Sequence, residues 1–205
     1  MLNSKSLIKK ATALTFTCLA TLGATPIAAL AYTVHTPYSV IEMQSTSEPV
    51  QLFNGSFFDV SGLTIQTVYG DEYVVKNFID SDGFITAMEI IPNIVFHSRE
   101  LGIQAFMMEH DSVQRTVSKS SDSRNTLFNV TFNFWFVPGE SSGFNSIFVN
   151  RLPGGNPLTQ LNNASIQARW AHVVLETSVF GLFRDTEIHS FTVDVNGRIV
   201  DGVQF

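Results

Sequence analysis

Cysteine is nearly absent: the 205 residues contain one, Cys18, and it lies within the opening segment. A lone cysteine excludes an intramolecular disulfide framework and a cluster of thiolate metal ligands. Stability must then come from a hydrophobic core, and a chain of this length is long enough to bury one. Positive charge is also scarce. Lysine and arginine number 12 against 18 aspartates and glutamates. With Lys5, Lys9 and Lys10 set aside, nine bases face all eighteen acids. Such a balance excludes general nucleic-acid binding, which needs clustered cations to displace counterions, and it disfavours attachment to an anionic membrane surface.

Catalytic and metal motifs are missing as well. The five histidines, His35, His97, His110, His172 and His189, include no pair four apart and no His-Glu-x-x-His, so no metal site is expected. There is no Gly-x-Ser-x-Gly elbow and no phosphate-binding glycine loop, and no cofactor is implied. Beyond the first 31 residues no apolar run reaches the length of a membrane-spanning helix.

What is present begins with an address. "MLNSKSLIKKATALTFTCLATLGATPIAALA" sets three lysines before an apolar run and the small residues Ala29 and Ala31 before Tyr32. This is the layout of a secretory signal peptide cleaved near Ala31. The residues before Cys18, Thr15 to Thr17, do not form a lipoprotein cleavage site, so no membrane anchor is expected. The expected organisation is a signal peptide over 1–31, an extended arm or first edge strand over 32–48, and one β-rich domain over 49–205. Secretion or a periplasmic location follows from that reading.

Residues 50–79 alternate short apolar runs with Asn-Gly, Ser-Gly and Gly-Asp turn signals at hairpin spacing. "TLFNVTFNFWFV" (126–137) is the clearest element. Phe128, Val130, Phe132, Phe134 and Phe136 make one apolar face with period two, which requires a strand with one buried side. "PGESSGFNS" (138–146) and "RLPGGNPLTQLNN" (151–163) read as loops, being rich in turn formers. "RELGIQAFMMEHDSVQRTV" (99–117) spaces Ile103, Phe106, Met107 and His110 helically and is the best helix candidate, although a strand with a loop fits equally. "ASIQARWAHVVLETSVFGLF" (164–183) alternates and reads as one long strand. The last residues read as two strands joined by a turn at 195–197.

"FIDSDGFITAME" (78–89) places Asp80, Asp82, Gly83 and Glu89 at EF-hand positions, but Phe78 stands where the first calcium ligand should be. "TVDVNGRI" (192–199) repeats the Asp-x-Asp/Asn-Gly layout without a terminal carboxylate. Since an Asp side chain can bond backbone amides two residues on, and the following Gly accepts positive φ, both read as hairpin turns.

Candidate site residues follow from chemistry alone. His97, His172 and His110 are candidate acid–base groups, the first two on expected strands. Trp135, Trp170, Phe132 and Phe134 are candidates to line an apolar ligand pocket. The candidate helix, the strands over 126–137 and 164–181, and the closing "HSFTVDVNGRIVDGVQF" together resemble the nuclear-transport-factor-2-like superfamily, which includes polyketide cyclases and ketosteroid isomerases. That resemblance covers about residues 95–205. It implies an α+β, β-rich fold in which a strongly bent antiparallel sheet with few helices forms a cone around an apolar pocket. The alternative is an all-β barrel or sandwich. The expected function is binding of a small hydrophobic ligand. The alternatives are an isomerase, cyclase or dehydratase using a pocket histidine or carboxylate, and a structural or surface-interaction protein with paired strand edges. No oligomeric state follows from the residues.

Overall fold

The computed structural model describes residues 32–35, 40–93, 109–119, 124–179 and 183–202. Among them the protein is built from antiparallel strands with almost no helix. The strands are β1 (Tyr32–His35), β2 (Val40–Ser45), β3 (Val50–Gln51), β4 (Phe57–Phe58), β5 (Thr64–Tyr69), β6 (Tyr73–Ile79) and β7 (Ile85–Pro92). They continue with β8 (Glu109–Ser118), β9 (Leu127–Val137), β10 (Ser141–Arg151), β11 (Thr159–Gln167), β12 (Trp170–Val179), β13 (Phe183–Val193) and β14 (Ile199–Asp201). An eight-stranded sheet runs β1-β2-β5-β6-β7-β10-β9-β8, a four-stranded sheet runs β11-β12-β13-β14, and β3-β4 form a small ribbon. Among the described residues the sheets do not close into a barrel.

Period-two patterning decides which faces meet. On β9, Phe128, Val130, Phe132 and Phe134 are fully buried, as their alternation requires. They pack with Ile147 and Val149 of β10 and Met88 and Ile90 of β7 against Leu161, Ile166, Ala171, Val173, Leu175, Phe191 and Val193 of the small sheet. Phe132 approaches Phe191 with ring centroids 4.7 Å apart, which joins the two layers at the centre of the core. At one end, three turns are knit together by backbone bonds: Phe144 N–H to Ala168 O, Gly139 N–H to Val195 O and, on one strand end, Val193 N–H to Arg169 O. The Tyr73 hydroxyl also donates to the Ile166 carbonyl and so ties β6 to β11.

The opposite face of the large sheet carries a second, smaller core. Leu52, Val60, Ile65, Phe78, Ala87 and Phe148 are buried there beneath the β3-β4 ribbon. Phe58 meets Phe78 and Phe148 edge-on, at 5.0 Å each. Glu89 is buried under the same ribbon. Its carboxylate accepts from the Phe53 amide at 2.6 Å and from Lys76 Nζ at 3.1 Å.

Four sequence expectations are corrected. The helix over 99–117 is strand β8 from Glu109 onward, and residues 99–108 lie outside the described ones. Pairing of Val113 with Phe132 and Val117 with Phe128 along β9 outweighs the helical preference of this segment. The single strand expected over 164–183 is two, β11 and β12, folded at Ala168 and Arg169. Ala168 holds φ +52, a left-handed conformation that Gly or Asn normally signals, so the turn left no mark in the sequence. Both expected loops are shorter: 138–146 is a loop only to Glu140 and strand β10 from Ser141, and of 151–163 Arg151 ends β10 and Thr159 onward is β11.

Candidate functional site

Both Asp-x-Asp/Asn-Gly segments are turns of one design. Asp80 Oδ1 accepts from the amides of Asp82 and Phe84, each at 2.9 Å, and Asp194 Oδ1 accepts from those of Asn196 and Arg198, each at 2.8 Å. These carboxylates are engaged with their own backbone, Phe78 is a core residue, and Glu89 is held by Phe53 and Lys76. No calcium loop is formed there. Among the described residues, no group of three His, Cys, Asp or Glu side chains is arranged to hold a metal.

The expected site residues are dispersed. Phe132 and Phe134 are core residues with no exposed surface. Trp170 lies on the small sheet, opposite Thr192, and is 43% exposed. His172, opposite Ser190 on that same face, bonds its Oγ through Nδ1 at 2.9 Å. His97 lies outside the described residues. His110 and Trp135 are the pair that the structure does bring together, directly opposite each other on β8 and β9.

A different cluster has more chemical character. Where β8 passes the edge of the small sheet, a cleft of about 220 Å³ is lined by residues 115–118 of β8, residues 189–191 of β13, Asp201 at the end of β14, and Gly202. Val117 and Phe191 are its apolar members and Arg115, His189 and Asp201 its ionisable ones. His189 is buried, with Nε2 3.3 Å from Glu187 Oε1. Next to it, the buried Lys119 ammonium bonds the Asp185 carboxylate. Alternation places Glu187, His189 and Phe191 on the core-facing side of β13, because 187, 189 and 191 share one face.

The electrostatics oppose one another at His189. Burial holds its pKa below the ordinary imidazole value of 6.5, while Glu187, a bond to the Ser118 backbone and Asp201 push upward without prevailing. The neutral ring is therefore the favoured form near neutral pH. The sequence did contain a signal for this group: Glu187-x-His189 within an alternating strand puts an acid and an imidazole on one side. Spacing between histidines does not reveal it, because the partner is an acid.

No protein-family model, no curated protein and no solved structure matches this chain.

Proposed function

We propose that this protein is a secreted or periplasmic binding protein that holds a small polar molecule in the cleft between β8 and the β13-β14 edge. The observation carrying the proposal is the composition of that cleft: about 220 Å³ of space, an apolar patch from Val117 and Phe191, and Arg115, His189 and Asp201 around it. Apolar contact with a few convergent polar groups is the usual makeup of a ligand site. Arg115 suits a carboxylate or another anionic group, and Asp201 suits a donor on the same molecule. The location rests on the lysine-led apolar segment at residues 1–31. An aromatic-lined apolar pocket is the less supported form of the reading, since Phe132 and Phe134 are spent on packing and neither they nor the tryptophans border the cleft.

A second reading is favoured by one distance. The 3.3 Å separation of Glu187 Oε1 and His189 Nε2 sets a carboxylate beside an imidazole, a pair of groups suited to proton transfer on a bound substrate.

Native mass spectrometry of the protein, purified without detergent from the medium or periplasm of its host, tests the proposal. A small polar adduct at unit stoichiometry, absent from Arg115→Glu, is the expected result. An adduct that survives this substitution, or a protein that carries none and shows no thermal shift with a panel of amino acids, carboxylates and nucleosides, overturns it. Turnover of an identified ligand that is lost in His189→Gln while binding persists would select the second reading.

A further inference from the structure

The outer face of β8 and β9 meets the cleft only at Thr116, and its composition is unusual. Ser112, Gln114 and Thr116 of β8 are exposed, and they stand opposite Asn133, Thr131 and Asn129 of β9. All of these side chains are of hydrogen-bonding type and none is charged; Asn133 is buried and donates to Ser146 Oγ, and Asn129 accepts from Thr116, so the exposed members are those of β8. β8 is not poor in charge: Glu109, Asp111 and Arg115 occupy the intervening positions and so belong to its other face. A sheet edge commonly carries charges to deter pairing with other chains. Here the charges are sorted off one face.

A flat aromatic ring closes one end of this surface. Trp135 is half-buried and pairs with His110 on one side and Gly143 on the other. A Cβ built on Gly143 would come within 2.8 Å of Trp135 Nε1, 2.9 Å of Cε2 and 3.0 Å of Cζ2. Three ring atoms at nearly equal distance mean that the indole lies across Gly143, and glycine in the strand is what admits so close an approach. Beside it, the register shift between Phe144 and Ser146 leaves Asn145 unpaired with β9. Its amide nitrogen lies 3.0 Å from His110 Nδ1. With that amide donating, Nδ1 is the acceptor, which leaves Nε2–H as a donor on the residue directly opposite Trp135. A bulge that re-aims a side chain is a recurring device at binding surfaces.

We infer that this face binds a neutral saccharide chain. Sugar hydroxyls both donate and accept, matching the amides and hydroxyls of the two strands, while the apolar C–H face of a pyranose ring packs on a flat indole. The lack of charge selects against phosphorylated or uronate polymers, for which cationic side chains would be the complement. A protein strand added to the edge would instead engage the β8 backbone and would have little use for Trp135. Thr116 borders both sites, but the inference does not depend on the cleft, because Trp135, His110, Ser112, Gln114 and Thr131 lie outside it.

Isothermal titration of the full chain with xylohexaose, cellohexaose, maltohexaose and chitohexaose, with oligogalacturonate as the acidic contrast, tests the inference. One or more neutral oligomers should bind, and affinity should fall about tenfold or more in Trp135→Ala. Trp170→Ala, on the other sheet, should leave it unchanged. A second variant, Ser112→Glu with Gln114→Glu, adds charge to the face at two exposed positions of β8, and it too should weaken binding. Circular dichroism and the melting temperature establish whether each variant is folded. No heat with any neutral oligomer at millimolar concentration, equal binding of oligogalacturonate, or binding undiminished by the double glutamate variant overturns the assignment.

Discussion

At the scale of single residues, the paired Asp-x-Asp/Asn-Gly turns show a short motif specifying a conformation. Gly83 and Gly197 hold φ of +86 and +72, and each donates its amide back to the carbonyl of the leading Asp. Their surroundings differ. A Cβ at Gly83 meets nothing within 4 Å, whereas one at Gly197 would lie 2.5 Å from the Phe136 ring. Gly83→Ala should therefore cost about 1 kcal/mol, the strain of a left-handed alanine. Gly197→Ala should cost clearly more, and denaturant midpoints for the two variants would show it. These turns were legible because their chemistry is local. The turn at Ala168 was not, since its conformation is held by bonds from Phe144 and by hairpin pairing rather than by its own residue type. His189 makes a further residue-scale prediction. Its folded pKa is depressed, so the unfolded chain holds the proton more tightly. The stability this group contributes is fully present above 6.5 and is lost as the pH falls through the lower folded value. Melting temperature should fall between about pH 7 and about pH 5 in the wild type and fall less in His189→Gln.

At the scale of elements, legibility depended on how far one face was buried. β9 could be read outright, because four of its alternating positions are fully buried. β8 could not, because it is an edge strand with most of its residues exposed, and an exposed strand shows little apolar alternation. β10 was hidden for another reason: Gly143 yields its space to Trp135, and Ser146 meets Asn133, so its first half looks like a loop. The ribbon β3-β4 has only two residues in each strand and depends on what lies beneath it. Its polar fastening is Glu89, with both carboxylate oxygens engaged. Glu89→Ala removes one partner of a largely buried ion pair together with the Phe53 bond, and should cost about 3 kcal/mol. Amide exchange should rise over residues 50–58 ahead of the rest of the protein. Uniform exchange with no local change would show that the phenylalanine contacts of the ribbon suffice without the carboxylate.

At the scale of the whole molecule, the β-rich class was readable and the arrangement of its layers was not. The composition and turn spacing point to antiparallel strands, but the choice among cone, barrel and two sheets depends on pairings between segments far apart in sequence. The candidate site suffered similarly, because Arg115, His189 and Asp201 are drawn together only when β8 meets the small sheet. The pairing of sheets with sequence is nevertheless simple. Every strand of the large sheet precedes residue 152, and every strand of the small one follows residue 158. The consequence concerns order of assembly. A chain emerging from its amino terminus can complete the eight-stranded sheet before the residues that cover its apolar side exist, leaving Phe128, Phe132 and Phe134 facing water until the last two hairpins arrive. A protein ended at Arg151 should hence aggregate rather than persist as a half-molecule, visible as loss of soluble material and dye binding on refolding. The final quarter of the chain then acts as a built-in chaperone for the first three, arriving late and shielding what they expose.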